Sequence, residues 1–182
     1  MDFSREYTIE DIAQMEGHAE MISGHVLIID KTSTTHNLVV SLIAQAVRDH
    51  IRDNNGSCTV FTENVALYCN DLSDSENGDN YFLPDVMAVC DPASIDEEGV
   101  HSVPLFVAEI TSESTRRFDY EDKMMVYRNI GVKEYWVVDI QKQVITKYLQ
   151  TADFVPEVYL HPEAVKVSVY PGLTIDVSEY MR

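Results

Sequence analysis

An acid interrupts an otherwise apolar, strand-like run, and that placement constrains the fold more than any other feature. Residues 105–110 are apolar on both sides of their alternation, as expected of a central strand buried on both faces, and Glu109 breaks the run. A carboxylate there is costly unless it is paired, protonated or bound to a cation. Residues 119–129 then read as a helix closed by Gly131, and residues 134–139 as a second β-type run. Tyr120, Met124 and Tyr127 recur at helical spacing and form an inward stripe. Lys123 lies beside that stripe, and Asp119 precedes it by four residues in the order that favours an ion pair. A strand acid and a helix lysine are therefore available to one site.

Taken in order, the chain opens with a helical signal over 8–16 that Thr8 is placed to cap. Two β segments follow around Ser23-Gly24. A long helix over 36–52 carries Val39, Ile43, Ala46 and His50 on one face, with Thr34 or Thr35 as cap and Asn54-Asn55-Gly56 as its stop. Residues 58–69 are β-rich, and 70–80 read as an exposed acidic loop. In 81–90 Pro84 fits only the start or edge of a strand. Residues 91–101 form a second acidic loop, and 143–150, 165–170 and 173–177 are strand-like. The pattern predicts one α/β domain over 1–182, a mixed sheet flanked by helices with additional C-terminal strands.

Composition narrows the setting. A chain of 182 residues is long enough for a real core, and no segment reaches the length of a membrane span. The opening residues lack the layout of a signal peptide, and Cys58, Cys69 and Cys90 form no CxxC, so reduced thiols and a cytoplasmic setting are expected. The formal net charge of −18 repels nucleic acid at long range. Any such binding needs a metal ion, a partner or a local basic patch. Arg116, Arg117, Lys123, Arg128 and Lys133 form the one basic cluster available, with Arg116 and Arg117 its best phosphate contacts.

Asp85 directly after Pro84 is a second acid in a strand-like run. Two such acids meeting beside a lysine is what metal-assisted phosphodiester hydrolysis needs: hard oxygen ligands for Mg²⁺ and a positive charge to orient water or offset the phosphate. Pro84-Asp85 followed by Glu109 resembles the PD-(D/E)XK nuclease superfamily, and the longer pattern resembles its Uma-type branch of restriction-endonuclease-like proteins. The residues that carry the likeness are Asp85, Glu109, Ser112, Ser114-Thr115, Asp119, Lys123, Tyr127, Gly131-Val132, Glu134-Tyr135-Trp136 and Asp139, with Glu20, Gly24 and His36 matching more weakly. The superfamily's lysine ordinarily lies two positions after the acid, where this chain has Thr111, so the resemblance assigns that role to Lys123 on the following helix. It implies a restriction-endonuclease-like fold and a Mg²⁺-dependent endonuclease, with Mn²⁺ as substitute. It further implies DNA as partner, a homodimer, Asp85, Glu109 and Lys123 as catalytic residues, and Asp85, Glu109 and Glu20 as metal ligands.

Each of these residues has a plainer reading. Asp85 can cap a strand end, Glu109 can pair with an arginine, Lys123 with Asp119 on the surface, and Glu20 can be a solvated acid. His36 at a helix start is commonly structural, and Tyr127 and Trp136 read as core. The rival functions are a catalytically inactive interaction protein that kept the fold, which the acidic charge favours, and a carboxylate-pair glycosidase, which leaves the lysine unexplained.

Overall fold

The computed structural model describes residues 7–13, 19–28, 32–72 and 79–181. In chain order the elements are α1 (Ile9–Ala13), β1 (Ala19–Ile22), β2 (His25–Ile28), α2 (Thr34–Asp53), β3 (Thr59–Thr62), β4 (Ala66–Tyr68) and β5 (Tyr81–Phe82). They continue as β6 (Val86–Val89), β7 (Gly99–Val100), β8 (Phe106–Thr111), α3 (Lys123–Ile130), β9 (Glu134–Asp139), β10 (Val144–Leu149), β11 (Glu157–Leu160), β12 (Val165–Lys166) and β13 (Thr174–Ile175). The main sheet has the order β11-β10-β9-β8-β6-β3, with β8 and β9 parallel and every other neighbour antiparallel. A second sheet runs β2-β1-β5-β4-β7, and β12 pairs with β13. This is the mixed α/β architecture expected from the sequence.

The alternation along β8 explains the layering. Phe106, Ala108 and Ile110 point into a core with Trp136, Val138 and the Val39, Ile43 and Val47 face of α2. Val107 points the other way, into a core with Tyr127, Ile130, Tyr135 and residues of the second sheet such as Leu67 and Phe82. The main sheet is thus covered on both faces. Full burial of side chains such as Ile43 and Phe106 contributes about 1.5–3 kcal/mol each. Glu109 shares the face of Val107, so it points at α3 and the second sheet.

Local rules account for the helix ends. Thr8 and Asp11 cap α1 reciprocally, the Asp11 N–H donating to Thr8 Oγ1 and the Thr8 N–H to the Asp11 carboxylate. Residues 14–16 of that helical signal lie outside the described residues. Ser33, not Thr34 or Thr35, caps α2, its Oγ accepting the His36 N–H at 3.1 Å. Gly131 closes α3 at φ 90°, a left-handed conformation that glycine adopts without a Cβ penalty. The expected 119–129 helix begins earlier and is not uniformly α: residues Phe118–Asp122 form a π-type turn, in which the Lys123 N–H donates to the Phe118 carbonyl five residues back. The strand β11 carried no sequence expectation, because its residues are largely exposed and their alternation has no buried face to encode.

Cys58 and Cys90 correct the thiol expectation. They lie one step beyond the Thr59↔Val89 pair of β3 and β6 and are joined as a disulfide. The pairing depends on register across the sheet, which cysteine spacing cannot convey. Cys69 remains a free, buried thiol that burial holds well above the usual range. Among the described residues β3 is an edge strand paired with β6 alone, and the bond staples that edge. Reducing it reopens a loop spanning 32 residues, and the expected loss of unfolding free energy is about 2–4 kcal/mol. Urea melts with and without a dithiol reductant check this; coincident curves would show that the pair is not bonded in solution.

Candidate active site

The register of the main sheet sets three acids in a row. Val86 pairs with Thr62 on β3 and with Ala108 on β8. One step further, Asp85 faces Glu63 on one side and Glu109 on the other. The Glu63 N–H donates to the Asp85 carbonyl at 3.2 Å, and the Asp85 N–H to Glu109 Oε2 at 3.3 Å. Pro84 separates β5 from β6, which belong to different sheets, so its missing N–H interrupts neither ladder. The Asp85 carboxylate accepts the Ile110 N–H at Oδ2 (2.7 Å) and contacts His36 Nε2 at Oδ1 (3.1 Å).

Lys123 enters from above this row. Its Nζ lies 2.9 Å from Glu20, 3.1 Å from Glu109 and 3.8 Å from Asp119. All four side chains are at least nine-tenths buried, so the plainer reading of a surface Asp119–Lys123 pair does not hold. The π-type turn brings Asp119 and Lys123 inward together. It also leaves the Asp119 carbonyl to accept the Tyr135 hydroxyl at 2.8 Å. Glu20 arrives on β1 of the second sheet, held by the Leu83 N–H at 2.7 Å. Tyr127 donates its hydroxyl to Glu109 at 2.7 Å.

Burial raises Glu109 well above the ordinary carboxylate range, opposed by Lys123 and reinforced by the neighbouring acids. Glu20 and Asp119 are raised for the same first reason. For Lys123 burial pulls downward, but Glu109, Glu20 and Asp119 together outweigh it and hold the group well above its usual value. It is therefore an ammonium at neutral pH, a fixed positive charge and a donor. Burial also opposes protonation of His36, and the contact with Asp85 outweighs it, leaving that imidazole raised.

Asp85, Glu109 and Lys123 line a single cleft of about 460 Å³, together with His36 and the hydroxyl residues Thr111, Ser112 and Thr115. The sequence-predicted trio is thus brought together. Glu20 is not among the residues lining the cleft and reaches it through Lys123 and the Leu83 N–H. Glu63, which no sequence signal marked, joins His36 and Asp85 in a group whose ligand atoms all lie within 4.8 Å of one another. The two neighbouring strand acids fit a hard divalent cation by donor type, and waters complete such a shell readily.

The basic cluster does not line this cleft, apart from Lys123. Arg116 grips the fully buried Asp139 through two bonds of 2.7 and 3.2 Å, Arg128 pairs with Asp153, Lys133 donates to Gln150, and Arg117 pairs with Glu121 on the surface. Arg116 is thus a structural partner of Asp139. Burial works to raise Asp139, but the bonds from Arg116 and from the Lys142 N–H win and leave it lowered. Arg116→Ala is expected to cost about 2 kcal/mol, and Arg117→Ala less than about 0.5 kcal/mol. A depressed carboxyl stabilises above its unfolded pKa of about 3.9 and loses that contribution as pH falls through the folded value, so the Arg116→Ala deficit fades in acid. Urea melts at neutral and acidic pH measure it, and equal deficits for the two variants would refute the assignment.

Residues 6–178 match the family model described as "Uma2: Putative restriction endonuclease". The chain is similar in structure to one described as "a putative nuclease belonging to DUF820 from Anabaena variabilis ATCC 29413", with TM-score 0.74, 16% identity and coverage of 96% of this chain and 97% of that one. At that identity the likeness establishes the fold. Two proteins of Synechocystis sp. (strain ATCC 27184 / PCC 6803 / Kazusa) are also similar. "Uncharacterized protein sll1609" is 27% identical over 124 residues, 66% of this chain and 66% of that protein's length. "Uncharacterized protein slr1290" is 24% identical over 149 residues, 81% of this chain and 74% of that protein. Among the described residues, no helix is long and apolar enough to cross a membrane.

Proposed function

The chain belongs to the Uma2 family of restriction-endonuclease-like proteins, and on that premise we propose that it is a divalent-metal-dependent endonuclease hydrolysing phosphodiester bonds in DNA. One observation carries this reading: the Lys123 ammonium lies 3.1 Å from Glu109, in the cleft that Asp85 also lines. Asp85 and Glu109 would hold Mg²⁺, or Mn²⁺ in its place, and the bound ion polarises the phosphate and lowers the pKa of a water. Lys123, kept charged by Glu20 and Asp119, donates to a water or a phosphate oxygen. We assign Glu20 to holding Lys123 rather than to the ion. Hydroxyls of Thr111, Ser112 and Thr115 on the cleft wall supply further donors to the phosphate. A homodimer belongs to the same reading and is checked by light scattering.

The net charge favours a second reading, that of an inactive interaction protein: it is −18, and Lys123 and His36 are the only basic side chains among the described residues lining the cleft. Purified full-length protein with supercoiled plasmid separates the two. Nicking that requires Mg²⁺ or Mn²⁺ and stops with EDTA is the expected result. Absence of both nicking and calorimetric metal uptake would hand the fold to the interaction reading. Labelled RNA in the same assay tests the choice of DNA.

A further inference from the structure

Asp85 has two sides, and only one of them faces Glu109. On the other lie His36 and Glu63. His36 Nε2 is 3.1 Å from Asp85 Oδ1 and 3.8 Å from Glu63 Oε1. Neighbouring ligands of an octahedral ion bonded at about 2.1–2.2 Å stand about 3 Å apart, and opposite ones about 4.3 Å apart. The three ligand atoms, all within 4.8 Å of one another, can therefore close on one ion by side-chain rotation.

The fold fixes each donor separately. Ser33 caps the first turn of α2 and sets His36 facing inward. Glu63 sits just past β3 with φ 33°, a left-handed conformation unusual for a residue with a Cβ, and its N–H is tied to the Asp85 carbonyl. The three side chains are 11%, 25% and 16% exposed for His36, Glu63 and Asp85, so water has access to complete a coordination shell. None of them is a partner of Lys123, whose ammonium is shared among Glu20, Glu109 and Asp119. The cleft region thus holds five carboxylates against one ammonium and one imidazole, and Asp85 and Glu63 are the two that face the imidazole instead of the ammonium.

We propose that His36, Glu63 and Asp85 form a seat for a first-row transition-metal ion, Mn²⁺ in preference to Mg²⁺, beside the Asp85–Glu109 pair. The preference follows from the imidazole: a nitrogen donor with two carboxylates suits a transition metal, whereas Mg²⁺ takes oxygen ligands and keeps its waters. The seat rests on the nuclease reading for what the ion does, and on its own geometry for the binding.

The test is Mn²⁺ titration of the full chain, followed by continuous-wave and pulsed electron paramagnetic resonance. Bound Mn²⁺ is expected to show ¹⁴N coupling from a directly ligated imidazole. His36→Gln should abolish that coupling and weaken uptake about tenfold or more. Glu63→Gln should weaken uptake comparably and keep the coupling, and because Glu63 lies on a part-exposed turn this variant carries the test should His36→Gln fail to fold. Glu109→Gln should leave the coupling in place. Mn²⁺ bound without nitrogen coupling, coupling that survives His36→Gln, or uptake unchanged in Glu63→Gln would each overturn the seat. Metal-dependent nicking with an all-oxygen Mn²⁺ overturns the seat and leaves the nuclease reading standing. Nitrogen-coupled Mn²⁺ without any nicking does the reverse.

Discussion

Replacing Lys123 with Ala is expected to lower the unfolding free energy at pH 7 by about 3–5 kcal/mol, in addition to slowing cleavage about a hundredfold or more. The stability loss comes from the environment of the ammonium. Glu20, Glu109 and Asp119 are buried around it. Without it three buried carboxylates share one site with no cation between them among the described residues. Lys123→Arg should not rescue, because the planar guanidinium cannot copy the point charge that Glu20, Glu109 and Asp119 surround.

The same substitution makes a signed prediction in pH. Burial raises Glu109, Glu20 and Asp119 in the folded protein, and removing Lys123 takes away the main influence lowering them. A carboxyl whose folded pKa exceeds its unfolded value binds more protons folded than unfolded, so stability falls as pH rises between the two. Lys123→Ala should therefore approach the parent below about pH 4, near the unfolded carboxyl values, and fall furthest behind at neutral pH and above. Urea melts across that range measure the gap. A gap independent of pH would mean that lost packing, not unpaired charge, dominates. Divalent-ion affinity should hold or rise in the variant, since a competing positive charge has gone.

How much of this was legible in the sequence depends on the reach of each signal. Asp85, Glu109 and Lys123 were readable because each breaks a local pattern: an acid after Pro84, an acid in an apolar strand, a lysine beside an aromatic stripe. The β1–β2 turn at Ser23-Gly24 and the stop at Gly131 were readable because their chemistry is local. Glu63 was not, since it gains meaning only through the Thr62↔Val86 pairing that sets it opposite Asp85. The Cys58–Cys90 bond depends on the same register. Arg116 looked like a phosphate contact because a charge beside a serine-rich turn says nothing of Asp139, 23 residues on, which takes it. The π-type turn left no trace in propensity. Its only sequence sign was Asp119, Lys123 and Tyr127 at every fourth position, polar groups arranged as a core stripe would be.

Asp85→Asn should abolish metal-dependent cleavage, a fall of about a thousandfold or more, while the protein stays folded. The amide keeps an oxygen to accept the Ile110 N–H, which the Asp85 carboxylate now accepts at 2.7 Å, and it can still face His36. What it loses is the negative charge at the middle of the Glu63–Asp85–Glu109 row. Mg²⁺ relies on few protein carboxylates, so calorimetric Mg²⁺ uptake should vanish along with activity. Asp85→Ala should lose both as well. It also leaves the Ile110 N–H without its acceptor at a nearly buried strand end, and an additional loss of about 1–3 kcal/mol is expected. The lost hydrogen bond and the lost His36 contact outweigh any relief of repulsion among the neighbouring carboxylates. The pair of variants therefore separates charge from scaffold. If Asp85→Asn cleaves as the parent does while Asp85→Ala is merely unstable, Asp85 is a strand-end cap, and the carboxylate row does not hold the ion.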